Sequence, residues 1–194
     1  MNAQVIEYIE WIAAAFGLVN VFLLTRQTLW AWPAGLTSVF LYAFVFYHSK
    51  LYSDVMLHTI YVVLNAFGWY KWSSKNSTQT EALSVSTLRN SERFFWLLAI
   101  LVGFVIWGYF LHKNTDASFA FADAFILMAS LCAQYLLAIK KLENWVIWII
   151  VDVVAISIYY LKELYVTSVL YAVYLLICIL GYVEWKKSLK LIRQ

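Results

Sequence analysis

Seven apolar stretches set the terms for this chain: approximately Glu7 to Leu24, Leu29 to Tyr47, Leu51 to Trp72, Phe94 to Leu111, Ser118 to Ile139, Glu143 to Leu161 and Leu164 to Trp185. A helix needs about 20 mostly apolar residues to cross the hydrocarbon core of a bilayer, and each stretch is of that order. In lipid the backbone must satisfy its own N–H and C=O groups, which single helices do and isolated strands do not. The expected fold class is therefore an all-α integral membrane protein with seven transmembrane helices. Only one connection is long and polar, SSKNSTQTEALSVSTLRNSE from Ser73 to Glu92. The other loops are tight, so the helices are expected to form one membrane domain over residues 1–194, a bundle of antiparallel neighbours.

Composition excludes the alternatives. Hydrophobic residues make up 64% of the chain and charged residues 13%, where a soluble domain carries about 25% charged residues. One proline and six glycines exclude collagenous and linker-rich classes. Cys132 and Cys178 sit in apolar stretches without CxxC or Cys/His spacing, so they are read as packing residues, and no metal site or cofactor is expected. The N-terminus lacks a basic region and a small-residue cleavage site, so the first stretch is expected to remain as a span. Glu7 and Glu10 open that helix, where negative charge suits the positive dipole end.

The basic residues are sorted by side. Arg26, Lys71, Lys75, Arg89, Arg93, Lys140, Lys141, Lys186, Lys187, Lys190 and Arg193 fall on one side, eleven of the fourteen; Lys50, Lys113 and Lys162 fall on the other. The positive-inside rule then predicts an external N-terminus and a cytoplasmic C-terminus. The net charge of +3 is thus a topology signal rather than a nucleic-acid footprint.

The two halves resemble each other without a gap. A single constant offset lays Trp145 on Trp32, Leu164 and Tyr165 on Leu51 and Tyr52, Tyr174 on Tyr61, Gly181 on Gly68, and Trp185 on Trp72. Three spans over about residues 7–72, a linker at 73–92, a connecting helix at about 94–111 and three further spans over about 118–185, with a tail at 186–194, predict a parallel 3+1+3 repeat like that of the SWEET transporters.

Polar groups inside a bilayer cost several kcal/mol unless they are paired or face a wet cavity, so those at mid-span are candidate site residues. Asp152 stands near the centre of the sixth stretch with no Lys or Arg at comparable depth. Trp145, Trp148 and Asp152 follow at i, i+3 and i+7 on one helical face, which Tyr159 extends. Two indoles beside a carboxylate suit a flat aromatic cation, by stacking, cation–π attraction and charge. The third stretch carries a stripe of His58, Tyr61 and Asn65. The fifth contributes Asp123 and Gln134, three turns apart on one face. Counted inward at about 1.5 Å per residue, Gln134, Trp148, Asn65 and Asp152 fall within two turns of depth, as a single pocket would require. Belt tryptophans and interhelical hydrogen bonds are the plainer readings.

Two segments carry a family resemblance: LYAFVFYHSKLYSDVMLHTIYVVLNAFGWYKW, ending in Gly68 to Trp72, and KKLENWVIWIIVDVVAISIYYLKELY, containing Glu143 to Asp152. The chain resembles the Pnu vitamin transporters (PnuC-like) over all seven spans. That resemblance implies a 3+1+3 fold, a homotrimer in the bacterial inner membrane, and facilitated diffusion of a vitamin that a cytoplasmic kinase then traps. Nicotinamide riboside carriers of the family have Asn where this chain has Asp152, and they tend to be longer, so the resemblance points to the thiamine-type (PnuT-like) branch. Thiamine is the expected substrate and partner; nicotinamide riboside, or proton-coupled transport of another nucleoside-like vitamin, is the alternative. An intramembrane enzyme would need a catalytic pair or metal constellation, and no HExxH, Cys/His cluster or second carboxylate at the depth of Asp152 is present in the sequence.

Overall fold

The computed structural model describes residues 3–48, 52–74, 83–115 and 119–192. Lys50, Lys75 and Arg193 of the charge argument, and Leu51 and Ser118 as span boundaries, lie outside the described residues. Among the described residues seven helices follow in order: α1 (Ala3–Thr25), α2 (Ala31–His48), α3 (Tyr52–Ser73), α4 (Asn90–Asn114), α5 (Ala120–Ala138), α6 (Glu143–Leu161) and α7 (Tyr165–Ile192). They divide into two compact units, Met1–Leu83 and Ser84–Gln194.

In unit one α2 packs against both α1 and α3. Ser38 of α2 donates to the carbonyl of Ala13 at 2.8 Å, joining α2 to α1. On the other side the fully buried Trp32 meets Trp72 edge to face, with centroids 5.1 Å apart at 86°. Gly68 makes that possible, because a Cβ there would overlap the Trp32 ring.

Unit two is a chain of neighbours in which α4 packs on α5, α5 on α6 and α6 on α7. Trp145 meets Trp185 edge to face, 5.5 Å apart at 88°, and a Cβ at Gly181 would come within 2.6 Å of the Trp145 ring. This is the contact that Trp32, Gly68 and Trp72 make in unit one, at the positions matched by the internal repeat. The α4–α5 seam is aromatic: Trp96 lies 5.2 Å from Tyr135, and Phe104 packs against Phe121 and Phe125.

The turns are built alike too. Gln27 and Lys140, related by the same offset, take left-handed backbones with φ of 55° and 53°. In each case the next N–H reaches back five residues, Thr28 to Leu23 at 3.2 Å and Lys141 to Leu136 at 2.9 Å. Both helices therefore close in Schellman fashion, which satisfies carbonyls that a helix end leaves without partners. Glu163, with φ of 60°, ends α6 in the same way through the 2.9 Å bond from Leu164 to Tyr159.

Among the described residues five helices, α1, α4, α5, α6 and α7, are long and apolar enough to cross a membrane by length and composition. The expectation of seven spans is met in helix number but not in apolarity by α2 and α3. Helix α2 carries Pro33, His48 and the weakly polar rings of Trp32, Tyr42 and Tyr47, and α3 carries His58, Asn65 and Lys71, which lowers their hydropathy. The outward surface is what lipid requires. On α4, Phe94, Leu97 and Ile106 are each more than 60% exposed, a display that water would not tolerate on a lone protein.

Candidate functional site

Helix α6 carries the polar residues that matter most, and its start is held firmly. Its first residue, Glu143, is clamped: both carboxylate oxygens accept the backbone N–H of Leu88, at 3.1 and 3.0 Å, and Oε1 also takes Arg93 Nε and Nη2 at 3.1 and 2.9 Å. Beside it the stretch before α4 is bound to the α5–α6 turn, with Ser86 donating to Lys140 O at 3.0 Å and accepting from Leu142 N at 2.9 Å. Val85 and Leu88 of this strap are buried. Burial there also pulls the Lys140 ammonium below the ordinary lysine range. The next residue, Asn144, is fully buried; its Nδ2 donates to Lys141 O at 2.6 Å, while its Oδ1 has no partner among the described residues.

Two turns further, Asp152 is 2% exposed, and its Oδ2 has no hydrogen-bond partner among the described residues. An unpaired oxygen at that burial is costly for the fold, and a ligand carrying positive charge or hydrogen-bond donors would repay it. Trp148, one turn before Asp152, is half-buried. Gln134, 7% exposed, lies on α5, the helix that packs against α6.

In unit one Asn65 is 3% exposed; its Nδ2 donates to Tyr61 O at 2.8 Å, and its Oδ1 is unpaired among the described residues. It faces Gly35, where a Cβ would stand 2.5 Å from Asn65 Oδ1 and 3.0 Å from Asn20 Cγ. The Asn20 Oδ1 is buried and unpaired in the same sense. His58 packs among aromatic rings, with Phe46 at 4.9 Å, Tyr42 at 5.8 Å and Tyr61 at 6.1 Å.

A family model described as nicotinamide mononucleotide transporter matches residues 7–187. The chain belongs to this family. It is 24% identical over 208 residues to the nicotinamide riboside transporter PnuC of Escherichia coli strain K12, covering 94% of this chain and 87% of that one. The nicotinamide riboside transporter PnuC of Neisseria mucosa is 26% identical over 190 residues, covering 92% and 72%. The riboflavin/roseoflavin transporter RibM of Streptomyces davaonensis is 23% identical over 184 residues, covering 94% and 86%. Among solved structures, the crystal structure of the vitamin B3 transporter PnuC superposes with a TM-score of 0.74 at 26% identity, over 94% of this chain and 82% of that one. This member of the nicotinamide mononucleotide transporter family is accordingly a multi-pass membrane transporter for a vitamin.

Within that frame the sequence-derived site residues divide. Trp148, Asp152 and Gln134 stand in unit two, and Asn65, Tyr61 and His58 in unit one. Two residues are otherwise employed. Trp145, expected to help stack a ligand, is 1% exposed in the seam against Gly181 and Trp185, because residues at i and i+7 turn toward α7 while i+3 lies about 60° away. Asp123, expected to face substrate, is paired with Lys162 Nζ at 2.8 and 2.9 Å, a partner 39 residues away that spacing on α5 alone could not reveal. Tyr159 stacks on Tyr171 at 5.2 Å instead of extending an open face. Sequence reasoning passed over Asn20 and Asn144. The rule that singled out Asn65 would have found Asn20, since it is also a carboxamide in an apolar stretch.

Proposed function

We propose that this family member carries a nucleoside-like vitamin, nicotinamide riboside in the first instance, across a membrane down its concentration gradient. The observation that carries the reading is Asp152, 2% exposed on α6 with Oδ2 unpaired among the described residues, one turn beyond the half-buried Trp148. Nicotinamide riboside bears a flat pyridinium cation. An indole face attracts such a ring and a carboxylate meets its charge.

Thiamine, the expectation from Asp152 standing in place of Asn, gives way on this point. The relatives named above are nicotinamide riboside and riboflavin transporters by name, and a pyridinium suits a carboxylate as well as a thiazolium does. Riboflavin is neutral and would leave the Asp152 charge unanswered, so it ranks second.

The wider assignment follows the family. The chain functions as one membrane domain in the bacterial inner membrane, with its N-terminus outside and its C-terminus in the cytoplasm, as a 3+1+3 repeat in a homotrimer. A cytoplasmic kinase traps the delivered vitamin. Support for the repeat comes from the matched Trp32–Trp72 and Trp145–Trp185 contacts and the matched turns at Gln27 and Lys140.

The test is direct. Tryptophan fluorescence of the purified protein is titrated with nicotinamide riboside, riboflavin and thiamine, and flux is followed in proteoliposomes. Nicotinamide riboside should quench and should equilibrate in both directions without a proton or sodium gradient. Quenching by thiamine alone would overturn the substrate, and accumulation above equilibrium in the absence of kinase would overturn the diffusive mechanism.

A further inference from the structure

We propose that unit two carries a second cation subsite where α5 begins and α6 ends, at which Lys162 is the resident occupant: the ammonium leaves Asp123, Phe119 and Tyr159 to admit the cationic ring of an arriving vitamin. The inference rests on the functional reading only in taking the cargo to be a flat organic cation, and it adds a place of first contact away from Asp152.

Lys162 Nζ meets both oxygens of Asp123, at 2.8 and 2.9 Å, and stands 6.0 Å from the centre of the Phe119 ring and 5.9 Å from that of Tyr159. Each helix supplies one ring and one charge a single turn apart, Phe119 and Asp123 at the start of α5, Tyr159 and Lys162 at the end of α6. The ammonium is thus received by a carboxylate and two rings. A pyridinium requires the same set, and it adds ring-on-ring stacking that an ammonium lacks. The side chains of Lys162 and Asp123 are 26% and 32% exposed, so solvent screens the pair and it is weakly held. Tyr159 is braced from α7 by stacking on Tyr171 at 5.2 Å, which keeps the ring in place when the lysine swings away.

The internal repeat separates the box from its occupant. The offset lays Glu10 on Asp123, Phe46 on Tyr159 and His58 on Tyr171. Phe46 and His58 also meet, with centroids 4.9 Å apart. An acid on the first helix of each triplet and a ring pair between the second and third therefore recur, whereas Ser49 stands at the position of Lys162. A pair that merely joined α5 to α6 would need neither ring. Tyr159 follows Asp152 by seven residues, on the same face of α6 and about 10 Å along it, so the box lies on the face that leads to the buried carboxylate. In the topology proposed above this is the outer end, where the vitamin arrives.

The experiment uses the full native chain. Brief acetylation with acetic anhydride, read lysine by lysine by peptide mass spectrometry, reports how often Lys162 leaves the box, with Lys113 as the reference. The probes are nicotinamide riboside, its neutral dihydro form, 1-methylnicotinamide, and sodium chloride at matched ionic strength. The two pyridinium cations should raise Lys162 acetylation relative to Lys113 about threefold, and the neutral form and the salt by less than about 1.5-fold. An unchanged ratio would overturn the subsite, and so would an equal rise with salt, since screening alone then releases the lysine. Tyr159→Leu keeps both charges and should remove about half of the pyridinium response or more; a full response in that variant refutes the box. Tryptophan quenching on the same samples separates the two levels. If nicotinamide riboside quenches but leaves Lys162 protected, only the subsite falls; if 1-methylnicotinamide exposes Lys162 while nicotinamide riboside does not quench, the cargo reading falls and the subsite stands.

Discussion

Glu143 and Leu88 are joined twice, each carboxylate oxygen of the first accepting the backbone N–H of the second at 3.1 and 3.0 Å. The bond ties the strap before α4 to the start of α6, and Arg93 reinforces it. Glu143→Ala should cost about 2 kcal/mol, because a backbone donor loses a charged acceptor and Arg93 loses its partner. A lowered unfolding midpoint, with faster protease cleavage between Ser84 and Arg89, is the expected pair of results.

Trp145 and Trp148 differ by one turn and should differ in kind. Trp145→Ala removes a buried ring from the α6–α7 seam and should cost about 3 to 5 kcal/mol of stability. Trp148→Ala should leave the unfolding midpoint close to the parent and instead abolish most of the ligand-induced quenching. Denaturation and titration on the same two proteins check both statements. The opposite pattern would mean that Trp145 holds the ligand.

Asp152→Asn preserves volume and removes charge. Loss of a desolvated charge pair should weaken nicotinamide riboside by about 2 to 5 kcal/mol. The neutral dihydro form has no charge to lose and should bind parent and variant alike. Calorimetric titration of both ligands reads the difference directly, and equal losses would show that Asp152 serves the helix seam rather than the ligand.

Glu163 is exposed and adopts φ of 60° at the end of α6. A side chain in that region is strained by about 1 kcal/mol, which glycine relieves. Glu163→Gly should raise the unfolding midpoint by a degree or more without altering transport, measured by scanning fluorimetry beside vesicle uptake.

Much of this architecture can be read from one-dimensional patterns. The bounds of α6, Glu143–Leu161, coincide with its apolar stretch because polar loops flank it closely. Helix α7 instead runs past Trp185 to Ile192, since a basic amphipathic extension is helical without being apolar. Helix α4 starts at Asn90, ahead of Phe94, where Glu92 caps the N–H of Arg89 at 2.7 Å. In the site, the burial of Asp152 and Asn65 was legible from their depth in apolar segments. Partners were not: Lys162 for Asp123 and Gly181 for Trp145 are set by which helix faces meet, and a pattern within one helix holds no information about its neighbour.

The Trp32–Trp72 contact closes entirely within unit one, and the Trp145–Trp185 contact entirely within unit two. During synthesis, the first indole pair has everything it needs once Ser73 has left the ribosome, before α5, α6 or α7 has emerged. Each half can therefore settle its own helix order as it enters the membrane, so assembly proceeds as two short, local searches instead of a single seven-helix search.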